Sequence, residues 1–120
     1  MNFLCVFILV AALVGGAASC RSLPEQSSPE FSEASKLYQK AYELYHAQCW
    51  QDAGILFRQY IRNYPATDLY RVALYYLGNC EQELGNVKDA LLIFNTILNK
   101  FPDNDFWVEA ARKRIVELKS

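Results

Sequence analysis

The sequence predicts an all-α fold, a solenoid of antiparallel helix pairs, on three observations. Ala41, Ala53, Phe57 and Pro65 return as Gly78, Ala90, Phe94 and Pro102, each pair 37 positions apart. Within each copy the apolar residues follow the period of a helix, and Gly85-Asn86 marks a turn between two such stretches. No segment alternates apolar and polar residues as a half-buried strand does. At the same offset Ala73 lands on Ala110, so a third copy begins at the end of the chain.

The residue types follow from packing two amphipathic helices against each other. Close contact tolerates only a small side chain on each helix, which Ala41 with Ala53 and Gly78 with Ala90 supply. Phe57 and Phe94 lie four residues after the alanines, one turn along the same face, and fill the gap beside them. Pro65 and Pro102 end the second helix of each pair, because proline lacks the amide hydrogen and clashes with the preceding turn.

Taken in order, residues 3–18 form an unbroken apolar run of 16 residues. That is shorter than the roughly 20 a spanning helix needs, and it ends in small residues, so 1–19 reads as an export signal. Residues 20–32 carry Pro24, Pro29 and many polar side chains, the composition of a solvated linker. A folded domain is expected over 33–120. Its first helix starts near Ser32–Glu33 and runs to about His46. A turn at Gln48–Cys49 leads to a second helix over about 51–63. A third, capped by Asp68, spans about 69–84, and a fourth spans about 87–99. A fifth, begun by Asp103 or Asp105, runs over about 105–119. In that last helix Trp107, Ala110, Ala111, Ile115 and Leu118 form an inner face, and Arg112, Lys113, Arg114, Glu117 and Lys119 an outer one. It reads as the terminal cap a solenoid needs.

The 120 residues carry a net charge of −1 and no basic stripe interleaved with aromatics, which argues against a nucleic-acid binder. His46 is the only histidine, so no His-based dyad, triad or multi-histidine metal site can be built, and no glycine-rich phosphate loop occurs. Neither an enzyme nor a cofactor is expected. Cys80 takes a place that suits a small buried residue, and Cys49 lies in the turn of the preceding copy. A bridge between them needs Cα atoms within about 7 Å, which the repeat geometry disfavours.

The informative surface feature is a stripe of Tyr38, Tyr42 and Tyr45 at i, i+4 and i+7. The next copy places Tyr75, Asn79 and Gln82 at the corresponding positions, and the third places Arg112. Tyrosine offers contact area at low entropic cost and a hydroxyl that can pair. Two readings stay open: a surface that grips another polypeptide, or tyrosines that cap the core of an edge helix.

The spacing resembles the tetratricopeptide repeat, a helix–turn–helix of roughly 34 residues, here with three extra residues, Ala66-Thr67-Asp68, after the proline. Two positions depart from that pattern: Gln48 replaces a turn glycine and Glu81 an aromatic. With Tyr-Pro or Phe-Pro closing each unit, residues 34–119 resemble the lipoproteins of the outer-membrane β-barrel assembly machinery and the Tol-Pal-associated repeat protein. The resemblance implies a groove lined by the first helix of each unit, the stripe above, that binds other envelope proteins. A transporter accessory protein is a further class it allows. Ala17-Ala18-Ser19-Cys20 resembles a bacterial lipobox, which implies cleavage before Cys20, palmitate and other acyl chains on that residue, and a membrane anchor facing the periplasm, most simply on the outer membrane. An ordinary secretory signal or an uncleaved anchor is the alternative.

Overall fold

The computed structural model describes residues 29–120. The export signal, Cys20 and the linker up to residue 28 lie outside the described residues. Five helices follow one another: α1 (Pro29–His46), α2 (Trp50–Asn63), α3 (Tyr70–Glu83), α4 (Val87–Lys100) and α5 (Phe106–Lys119). Among the described residues there is no strand, and no helix is long and apolar enough to cross a membrane.

Helix α1 begins earlier than the sequence suggested. Pro29 opens it, at a position where the missing amide hydrogen has no intrahelical acceptor to lose. Ser32 therefore lies inside the first turn and is no cap. Asp68 does not cap α3 either: the helix follows Leu69, whose backbone is already helical, and no side chain accepts its first donors. The expectation holds at α5, where Asp105 accepts from the backbone N of Val108 at 2.8 Å. The same carboxylate pairs with Arg71, whose guanidinium lies 4.0 Å from the centroid of the Phe101 ring. The start of α3 is thereby joined to the start of α5.

Each helix packs on the next, α1 through α5 in turn. In addition α1 touches α3 and α3 touches α5, whereas α2 and α4 do not approach each other. The stack therefore has a tight inner row (α1, α3, α5) and a splayed outer row (α2, α4), the curvature of a solenoid. Its core runs along the seam. Ala41, Ala53, Phe57, Ala90, Phe94 and Ile97 are fully buried there. At 1.5–3 kcal/mol per large buried side chain, roughly, these residues supply much of the folding drive of so small a domain.

Gly78 has a more specific task than close helix contact. A Cβ built on it would sit 2.6 Å from the Phe94 ring, so the glycine is the space the ring occupies. In the first copy Ala41 stands at that position, and it and Phe57 are both fully buried.

The two turns are the same object made with different residues. Cys49 N donates to Leu44 O at 2.9 Å and Asn86 N to Glu81 O at 2.8 Å, each a six-to-one closure 37 positions from the other. The residue before each donor is left-handed: Gly85 with φ 84° and Gln48 with φ 62°. Glycine adopts that backbone freely, whereas a side chain there costs about 1 kcal/mol, which the closed turn around Gln48 offsets.

Glu81, where an aromatic was expected, is buried with 7% exposure. It accepts from Arg58 Nη2 at 3.1 Å and from Asn86 Nδ2 at 2.8 Å. One carboxylate thus ties α2, α3 and the following turn, replacing ring packing with charge-assisted bonds.

Candidate functional site

The inner row presents a continuous band of rings because the tyrosine stripe of α1 faces α3. Tyr38 stacks on Tyr42 at 6.1 Å between centroids and meets Phe57 edge-on at 5.8 Å. Tyr42 contacts His46 at 4.3 Å and Tyr76 at 5.7 Å. Tyr45 packs on Tyr76 at 4.7 Å and on Trp50 at 5.2 Å. The band continues through Tyr75 to Trp107, 5.4 Å away, and Trp107 meets Phe106 at 5.0 Å. These edge-on and offset contacts are the favourable arrangements for rings.

Polar atoms are threaded through the band. Asn79, 4% exposed, donates from Nδ2 to the Tyr45 hydroxyl at 3.1 Å. Arg114 donates from Nε to the Tyr75 hydroxyl at 3.3 Å. Two buried amide oxygens, Asn79 Oδ1 and Gln82 Oε1, have no hydrogen-bond partner within the protein. Unpaired buried acceptors are costly, about 1–3 kcal/mol each, and rare.

Burial, and then the neighbouring tyrosines, pushes the Tyr76 phenol up to about 12. The Tyr38 and Tyr45 phenols are raised as well, burial again being the largest cause. All three therefore carry their protons at physiological pH. Cys80 is buried and free, its thiol pushed up to about 12 by burial and then by Glu81 and Glu83, so it serves as a small apolar side chain. Cys49 is exposed and free. No group of three His, Cys, Asp or Glu side chains among the described residues is placed to hold a metal.

The sequence-derived residues fall into two groups. Tyr38, Tyr42, Tyr45, Tyr75, Asn79 and Gln82 come together on the inner row, and all six are half-buried or buried. The tyrosines thus pack between units while leaving part of each ring at the surface. Arg112 is exposed and pairs within its own helix with Glu109 at 3.5 Å. Its neighbour Arg114, expected on the outer face, is the arginine bonded to the band, because its half-buried stem crosses α5 to reach the Tyr75 hydroxyl. Trp107, expected on the inner face of α5, lies there against Tyr75 and Tyr76 at 5.4 and 6.0 Å. Sequence reasoning passed over Tyr76, which was legible as the inward neighbour of Tyr75 had the contact between successive inner helices been considered.

Residues 72–104, the greater part of α3, all of α4 and the loop beyond it, match the family model described as tetratricopeptide repeat. No curated protein matches the chain. Repeats of this kind are typically non-enzymatic protein–protein interaction modules. Residues 72–104 are thus matched as one tetratricopeptide repeat, its punctuation is echoed 37 positions before it, and the described chain is an all-α solenoid of antiparallel helix pairs.

Proposed function

We propose that this protein is a lipid-anchored adaptor on the periplasmic face of a bacterial outer membrane, where its inner helical row grips a segment of another envelope protein during β-barrel assembly. One observation carries the gripping role. The inner row keeps the edges of five tyrosines and a tryptophan at the surface while their rings are fixed by packing, so little side-chain entropy is lost on binding. The envelope setting rests on the apolar run ahead of Cys20 and its lipobox-like residues. Two or more acyl chains on Cys20 would hold the domain at the membrane, and the linker lets it reach partners.

Two measurements on the same cells test this reading. Labelling with a palmitate analogue is expected to mark the wild-type protein and not Cys20→Ala. Crosslinking followed by mass spectrometry is expected to recover soluble domains of the barrel-assembly machinery. Recovery of a Tol component would move the protein to the Tol-Pal system, and a transporter subunit would make it a transporter accessory. An unlabelled wild type would remove the lipid anchor.

A further inference from the structure

Arg71, in the first turn of α3, sets its guanidinium against the Asp105 carboxylate and the Phe101 ring. Moving 37 positions back, Asp68 answers Asp105 but Ala34 answers Arg71. The α1–α3 step thus has the carboxylate without the arginine. A cavity of about 440 Å³ opens there, and both residues on which the comparison turns, Ala34 and Asp68, stand in its wall. The rest of the wall is Ser35 of α1, Tyr60 of α2 and the loop residues Ala66, Thr67 and Leu69. Tyr60 also meets Tyr38 at 5.6 Å between centroids, so the cavity adjoins the first ring of the tyrosine stripe.

From this correspondence we infer that the α1–α3 step is a seat for one arginine side chain of the bound polypeptide, placed as Arg71 is placed one unit later. The proposal deepens the groove reading and rests on it. The wall selects a cation that only donates hydrogen bonds. Asp68 is its single charged residue; it is exposed, in no ion pair among the described residues, and unlike Asp105 it caps no helix. The Thr67 hydroxyl donates to Tyr64 O at 3.0 Å, so the Tyr60 hydroxyl, 2.7 Å away, donates to Thr67. Both hydroxyl protons are then committed. What these oxygens have left is lone pairs, which suit a guanidinium with five N–H donors and no acceptor. Ala34, Ala66 and Leu69 supply apolar wall for the methylene stem. A guanidinium fork also meets a carboxylate in two parallel bonds, which an ammonium cannot, and this favours arginine over lysine.

The test uses the full chain in detergent micelles, N-acetylargininamide as probe and the amide resonances of Ala34, Asp68 and Leu69 as readout. Saturable shifts in the roughly millimolar range are expected. Affinity should be about tenfold above that of the citrulline amide, which has the same shape and no charge, and should also exceed that of the lysine amide. Asp68→Asn, at an exposed position, is expected to abolish the binding. Ala34→Arg, which installs the residue of the later unit, is expected to do the same while the helical circular dichroism is kept. Equal affinity for the arginine amide and either comparison amide, or undiminished shifts in Asp68→Asn, overturns the assignment. So does a silent wild type that binds the probe once Arg21→Ala is made, because the seat then belongs to this chain's own linker. Partner capture that survives Asp68→Asn but is lost in Tyr42→Ala also overturns the seat, and leaves the groove itself standing.

Discussion

Phe94→Ala is expected to destabilise the protein by about 3–5 kcal/mol, a large part of the total stability of a domain this size. The ring is fully buried and lies where α3, α4 and the inner row meet, with Tyr75 at 5.8 Å between centroids. Its removal leaves a void that neither helix can close. Gly78 sits across from it with no side chain to relax into the space, and the α3–α4 turn is fixed by the Asn86–Glu81 closure. In urea unfolding followed by circular dichroism the midpoint should fall sharply with little change in slope. A midpoint within experimental error of wild type would mean that the seam is not the core.

The second large effect is the converse, adding volume at Gly78. Gly78→Val places a Cβ 2.6 Å from a ring that has nowhere to go, and a branched side chain cannot swing clear. Overpacking of this kind costs about 3 kcal/mol, the top of the usual range, against a gain of only a few tenths from replacing a mid-helix glycine. The two sites touch, so their effects should not add. In a Phe94→Ala background the added valine has room, and a double-mutant cycle should show a coupling of about 1–2 kcal/mol. Strict additivity would show that glycine is there for some reason other than the ring.

These residues also show how much could be read without coordinates. The seam was legible because every unit repeats the same packing problem, so Ala41, Ala53 and Phe57 had to be answered by Gly78, Ala90 and Phe94. The inner face was legible for the same reason, as Tyr38, Tyr42 and Tyr45 map onto Tyr75, Asn79 and Gln82. What was not legible depended on single backbone or long-range events. Gln48 gives no outward sign of a left-handed backbone, since the hydrogen-bond closure around it imposes the conformation. The burial of Glu81 depends on Arg58, 23 residues away and on another helix. Arg114 looked like an outer-face cation because a helical wheel knows only its own helix, and its partner Tyr75 lies 39 residues back. Asp68 and Ser32 had the right residue type for caps. Helix ends shift by a few residues with tertiary context, and here Pro29 and Leu69 set them.

The central claim is that the inner row, not the outer, holds a polypeptide. A photoreactive benzoylphenylalanine placed in living cells at Tyr42 on α1, and separately at Leu92 on α4, tests it most directly. Leu92 is 67% exposed and so makes a fair control for an accessible outer position. The expected result is a discrete protein adduct from position 42 and none from position 92. Adducts from position 92 alone, or from both positions alike, would contradict the claim.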